Sequence, residues 1–140
     1  MGPRARLAEL LRKREMLRAR KIATQAGALA TEQGRAAALE STLASFIEEA
    51  LPRAGSITAQ SLRAGAALGR RLEEQREVAA NRSAFLADEL AAARTALRHH
   101  ALRETQLAER VAASRAEDGT AREALAERQL PPGRRGRQPV

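Results

Sequence analysis

The sequence predicts an all-α fold in which two long helices form an antiparallel coiled-coil hairpin, with the second helix longer and overhanging the first. Alanine accounts for 33 of the 140 residues, and together with Arg, Leu, Glu and Gln it gives the composition of long helices. Apolar residues recur at heptad spacing in both halves of the chain, and one Pro/Gly interruption separates the halves. Only two residues are aromatic, so we expect a thin core between two helices.

The first helix is predicted over residues 4–51. Its apolar residues return every seven positions, which is the spacing that keeps one face of a helix against a partner helix. These residues are Ile22, Leu29, Ala36, Leu43 and Ala50. No alternation of apolar and polar residues is long enough to indicate a β-strand.

A hinge is predicted at residues 52–56, within the stretch "LPRAGS". Pro52 lacks an amide hydrogen and disfavours helical conformation in the residue before it. Gly55 adds a flexible position, and Ser56 is a favourable N-cap for the helix that follows.

The second helix is predicted over residues 57–129 and ends before Pro131 and Pro132. Its seam advances in alternating steps of four and three residues, as in a coiled coil. The apolar members are Leu86, Leu90, Ala93, Leu97, Leu107, Val111, Ala121 and Leu125, and the polar members are His100, Glu104, Ser114 and Asp118. The hairpin of residues 4–129 is one domain, and residues 130–140 are predicted to be a disordered basic tail.

The register of the hairpin is predicted by matching the two seams. Facing residues in an antiparallel pair have residue numbers with a constant sum, and pairing Ile22 with Leu86 gives 108. This register packs the leucines of the first helix against the returning helix. The expected contacts are those of Leu10, Leu11 and Leu17 with Leu90 and Leu97.

The same register predicts an exposed apolar seam on the second helix. The first helix begins at residue 4, opposite about residue 104, so beyond that point the second helix continues alone for about 25 residues, or about 37 Å. The seam residues in this overhang are Leu107, Val111, Ala121 and Leu125. An apolar seam without a partner in its own chain indicates an interaction surface.

Positive charge is concentrated at the two ends of the chain. Residues 1–25 have a net charge of +6 and residues 131–140 of +3, whereas residues 26–130 have −1. Arg14, Arg18 and Lys21 lie along the margin of the first seam, where their aliphatic stems cover apolar surface and their charges reach a partner. The start of the chain therefore predicts a surface that is both cationic and apolar.

No group of residues predicts catalysis, a metal site, a cofactor site or a small-molecule substrate. His99 and His100 are adjacent, so they diverge by about 100° on a helix, whereas two metal-binding histidines sit four residues apart. The chain has no cysteine and no phosphate-binding glycine loop, and no stretch reaches the roughly 20 apolar residues of a membrane span. We therefore expect a protein that is not an enzyme and does not span a membrane.

Nucleic-acid binding is the main alternative to protein binding, because clustered arginine at one end of a molecule is its electrostatic footprint. No aromatic residue lies near the basic clusters to stack on bases, and basic-region helices belong to parallel dimers. A basic coiled-coil protein that binds nucleic acid or self-associates as a structural protein remains the alternative interpretation.

The order of features resembles the FliJ family of flagellar export proteins and its YscO-type counterparts in type III secretion. The matching stretches are "SLRAGAALGRRLEEQ" (61–75), with a Leu-x-x-Gln element at Leu72 and Gln75, and "LRETQLAER" (102–110). The chain differs from the usual family pattern in being rich in alanine and poor in lysine. The resemblance implies a cytoplasmic stalk, peripheral to the export apparatus at the inner membrane, which stimulates a hexameric export ATPase and links it to the export gate protein.

The resemblance also implies partners and contact residues. The partners are the export ATPase, the gate protein and export chaperones. The residues implied to face the ATPase ring are Arg14, Arg18, Lys21, Leu107 and Val111, and those implied to face the gate are Leu62 and Leu68. The resemblance does not separate a flagellar system from an injectisome.

Overall fold

The computed structural model describes residues 2–50 and 58–130, and over these residues the fold is all-α. Two helices contact each other: α1 spans Pro3–Glu49 and α2 spans Ala59–Arg128. No strand occurs within the described residues. The predicted all-α helical hairpin is thus confirmed. The predicted hinge residues Pro52 and Gly55, the predicted cap Ser56 and residues 131–140 lie outside the described part.

The beginnings of both helices follow local sequence rules. Pro3 occupies the first position of α1, where its fixed φ suits a helix and its missing amide hydrogen leaves no unpaired donor. The Gly2 carbonyl accepts the first helical hydrogen bond, from the Arg6 amide at 3.1 Å. In α2, Thr58 is the N-cap, because its Oγ1 accepts a hydrogen bond from the Ser61 amide at 3.1 Å.

The chain forms two compact units, each containing part of α1 and part of α2. We call Met1–Arg20 with Arg98–Val140 the terminal unit, and Lys21–Leu97 the central unit. In the terminal unit Gly2 contacts Asp118 whereas Glu15 contacts His100, so the two helices run antiparallel. In the central unit Gln33 contacts Ser83 whereas Leu43 lines a groove with Gln75, which is again antiparallel.

The predicted heptad seams are the buried faces of the helices. The buried residues of the central unit are Ala26, Ala36, Leu43, Ala79, Leu86 and Leu90. Those of the terminal unit are Ala5, Ala8, Glu15 and Val111. Four of the six buried residues in the central unit are ones that the sequence placed on its seams, and Val111 is a fifth such residue. The core is thin, because alanine fills half of these positions.

The predicted register is wrong by about one heptad. The numbers of Arg12 and Glu104 add up to 116, as do those of Gln33 and Ser83, instead of the predicted 108. A slip of one heptad returns the same seam positions to the interface, so the apolar pattern alone does not separate the two registers. The predicted register would place the buried Glu15 opposite Ala93, which has no side-chain donor. The observed register gives Glu15 a partner, His100.

The corrected register changes which apolar residues are exposed. Val111, expected on the overhang, is 4% exposed, and Leu107 is half-buried, because α1 reaches Asp118 through Gly2. The overhang of α2 in the terminal unit therefore comprises only residues 119–128, in which Ala121 and Leu125 are exposed as predicted.

A packing prediction for α1 is also wrong, because α1 turns a different face toward α2. Leu10 and Leu17 were expected to pack on Leu90 and Leu97, but both are 64% exposed. Leu11 is half-buried. The buried residues in this segment of α1 are Ala8 and Glu15, which lie two positions before Leu10 and Leu17.

Candidate functional site

The terminal unit carries the charge imbalance of the described chain. Its segment of α1, within residues 1–20, contains seven Lys/Arg and two Glu, a net of +5. Its segment of α2, residues 98–130, contains six Arg and six acidic residues, a net of zero. Residues 21–97 hold nine of each sign. The excess cations of the described helices therefore all belong to one segment of one helix.

Polar contacts join α2 to α1, and to the residue just before α1, inside the terminal unit. The Gly2 amide donates to Asp118 Oδ2 at 2.8 Å, and Arg12 Nε donates to Glu104 Oε1 at 2.9 Å. Nδ1 of His100 pairs with Oε2 of Glu15. The contacts of Arg12 with Glu104 and of Glu15 with His100 lie between seam positions, so polar partners help to specify this seam.

Glu15 is the most constrained ionisable group in the unit. Its side chain is 5% exposed and also lies 3.6 Å from Arg18 Nη1. The hydrogen bond from His100 lowers the pKa of Glu15, burial opposes this, and the nearby charges of His100, Arg103 and Arg18 lower it further. Glu15 is therefore held in its charged form within the seam. The hydrogen bond to Glu104 likewise raises the pKa of Arg12.

A groove runs along one edge of the two helices in the terminal unit. Leu7, Ala8, Leu11 and Leu107 supply its apolar lining, and its volume is about 330 Å³. Arg4 and Arg110 add cations, while Glu117 adds one acid.

A neighbouring groove of about 250 Å³ contains Arg14 and Arg103 and shares three lining residues with the first, Leu11, Leu107 and Arg110. The structure thus brings together two residues implied to face the ATPase, Arg14 and Leu107. Cationic rims over an apolar lining can bind an acidic, partly apolar surface.

The remaining implied contact residues are dispersed. Arg18 is exposed in the terminal unit. Val111 is buried and offers no surface to a partner. Lys21 belongs to the central unit, as do Leu62 and Leu68, which are both about half exposed. The central unit has its own apolar groove of about 420 Å³, lined in part by Leu39 and Val78.

Sequence reasoning missed one feature of the terminal unit, the exposed leucines on α1. Leu10 and Leu17 were predicted to pack on α2 because leucine is the stronger apolar signal, and Leu7 is exposed on the same face. The alternative seam contains Ala5, Ala8 and Glu15, which give little apolar signal. The signal that separates the two is the polar pairing of Glu15 with His100, since two polar residues at facing seam positions fix the register.

No described helix has an apolar stretch that would let it cross a membrane. Within residues 2–50 and 58–130, no three His, Asp or Glu side chains converge where a metal ion could bind. Comparisons with protein-family models, with curated proteins and with solved structures give no match to this chain.

Proposed function

We propose that this chain is a non-catalytic coiled-coil stalk of a bacterial flagellar or related type III export apparatus, which binds and stimulates the hexameric export ATPase and links it to the export gate. The observation that carries the proposal is the placement of charge: α1 of the terminal unit has a net of +5, while residues 21–97 are balanced. A helical hairpin with one cationic segment suits contact with an acidic protein surface. The resemblance to the FliJ and YscO-type proteins supplies the identity of the partner.

The proposal assigns the ATPase contact to the terminal unit. Arg14 and Leu107, which line one groove, and the exposed Arg18 are its members. Val111 is removed from this set because it is buried. The gate contact is assigned to the exposed Leu62 and Leu68 on α2 of the central unit. In this role the protein acts in the cytoplasm, at the inner membrane, through its partners.

The test is a titration of the full chain into a cognate export ATPase while ATP hydrolysis is followed. We expect wild type to raise hydrolysis and an Arg14→Glu/Arg18→Glu variant to lose most of that effect. A matched Arg115→Glu/Arg122→Glu variant changes the net charge equally on α2 of the same unit, and we expect it to stimulate like wild type. Unchanged hydrolysis with wild type, or equal loss in both variants, would refute the proposal.

Nucleic-acid binding is the second candidate, favoured by the same excess of cations on α1. Both aromatic residues, Phe46 and Phe85, lie in the central unit, so no aromatic side chain of the terminal unit stacks on bases. A phosphate-binding role predicts affinity that falls steeply as salt rises. Fluorescence anisotropy with a labelled duplex at two salt concentrations separates the candidates, because the stalk role requires no tight duplex binding.

A further inference from the structure

The outer face of α1 in the terminal unit carries a second apolar seam. Leu7, Leu10 and Leu17 are 59%, 64% and 64% exposed. With Arg14 they follow the three–four spacing of a coiled coil. The seam that packs on α2, formed by Ala5, Ala8, Arg12 and Glu15, has the same spacing two residues earlier. A shift of two residues is a rotation of about 200°. The two seams therefore lie on opposite sides of the helix, and α2 covers only one. Leu7 and Arg14, at the edge of the second seam, also line the grooves beside α2.

Cations lie within this second seam and along one side of it. Arg14 occupies one of its four positions, and Arg6 and Lys13 each lie one residue before a seam member, on the adjoining strip of helix. All three are exposed, and none takes part in an ion pair with another described residue. Their charge is available to a partner.

Charge and shape select the kind of partner. A second copy of the same seam would bring Arg6, Lys13 and Arg14 against their own like charges, which is unfavourable. Phosphates of a nucleic acid would pair with the cations but leave three leucines uncovered. A membrane surface would take the leucines, but Arg14 lies in line with them, and no Trp or Phe is present on this segment.

We propose that this second seam binds one amphipathic helix of another protein. That helix places apolar residues opposite Leu7, Leu10 and Leu17 and an acidic residue opposite Arg14, with further acids along its flanks. The contact completes a three-helix arrangement in which α1 is the middle helix. The proposal holds whether or not the partner belongs to an export apparatus, because it rests on the exposure and charge of α1 alone.

The test uses the full chain and a synthetic three-heptad helical peptide with leucine at its seam, one glutamate in the seam and glutamates on its flanks. Binding is measured by fluorescence anisotropy of the labelled peptide. We expect saturable binding to wild type. We expect at least about tenfold weaker binding to Leu10→Ser/Leu17→Ser, because the contact then buries two fewer leucine side chains. Leu102→Ser/Leu125→Ser alters two leucines of 58% and 57% exposure on α2 of the same unit, and we expect it to bind like wild type.

A charge exchange tests the register of the contact. A peptide with lysine in place of its seam glutamate should bind Arg14→Glu more tightly than wild type, and the original peptide should show the reverse. No saturable binding of the original peptide, equal weakening by the two serine pairs, or no preference in the charge exchange would overturn the proposal.

If the second seam binds a second copy of the chain or a lipid surface instead, wild type and Leu10→Ser/Leu17→Ser will differ in other measurements. A mass in light scattering that doubles with concentration in wild type but not in Leu10→Ser/Leu17→Ser would assign the seam to a second copy. Binding to vesicles of phosphatidylcholine and phosphatidylserine that is lost only in the same variant would assign it to a lipid surface. Either result, without peptide binding, would overturn the proposal.

Discussion

Nδ1 of His100 on α2 pairs with Oε2 of Glu15 on α1, and both side chains lie within the packing seam of the terminal unit. An ionised carboxylate only accepts hydrogen bonds, so Nδ1 of His100 carries the donated hydrogen. Seam neighbours such as Ala8 give little apolar stabilisation, and this pair therefore has a large share in fixing how the two helices meet.

Glu15 makes the stability of the terminal unit depend on pH. The hydrogen bond from His100 holds the pKa of Glu15 below its ordinary value of 4.5. A group with a lowered pKa in the folded state stabilises the fold above its unfolded pKa, and this contribution is lost as pH falls through the folded pKa. We expect Glu15→Gln to lower the free energy of unfolding by about 1–2 kcal/mol above pH 4.5, with the gap from wild type closing below it.

Urea unfolding followed by circular dichroism at several pH values measures that gap. Glu109→Gln is the control, because Glu109 is an exposed glutamate in the same unit and we expect no such gap. A gap for Glu15→Gln that stays constant from neutral to acid pH would contradict the prediction.

Removing only one member of the buried pair should cost more than removing both. His100→Leu leaves the carboxylate of Glu15 buried without its hydrogen-bond donor, with only the charges of Arg103 and Arg18 nearby, and we expect a loss of about 1–3 kcal/mol. Glu15→Leu/His100→Leu creates an apolar pair at the same seam positions, and we expect stability equal to or above that of wild type. His99→Leu, at the exposed neighbouring position, is the control and should change stability little. Additive losses in the double variant would show that the two residues do not act as a pair.

The heptad periods of both helices could be predicted from the sequence, but the register between them could not. The seams that contain Leu43, Leu86 and Leu90 could be predicted, because apolar residues at heptad spacing indicate the packing face of a helix. A slip of one heptad keeps those leucines in the helix interface. The register is therefore decided by polar pairs such as Glu15 with His100. The sequence pattern does not say which polar residues meet until the register is known. The exposed leucines of α1 were misplaced for a different reason: the face of α1 that packs on α2 carries Ala8 and Glu15, which give little apolar signal.

The corrected register can be tested by disulfide formation, since the chain contains no cysteine of its own. Gln33 and Ser83 are 3.5 Å apart through Nε2 and Oγ, whereas the register with a sum of 108 would place Gln33 opposite Gln75. We expect Gln33→Cys/Ser83→Cys to form an intramolecular disulfide under mild oxidation and Gln33→Cys/Gln75→Cys to form little. Gel mobility without reductant and counting of free thiols measure the outcome. Preferential closure of the second pair would overturn the observed register.

Two glycines of the terminal unit should respond in opposite ways to alanine. A Cβ on Gly2 would lie 2.7 Å from both carboxylate oxygens of Asp118, so Gly2→Ala must displace the side chain that accepts the Gly2 amide. We expect a loss of about 1 kcal/mol and faster hydrogen exchange in the first turn of α1. A Cβ on Gly119 meets nothing within 4 Å, so Gly119→Ala should stabilise by about 0.5–1 kcal/mol through its better helix propensity. Because both positions adjoin Asp118, an equal response of the two variants in unfolding and exchange measurements would mean that Gly2 does not approach Asp118 as the structure shows.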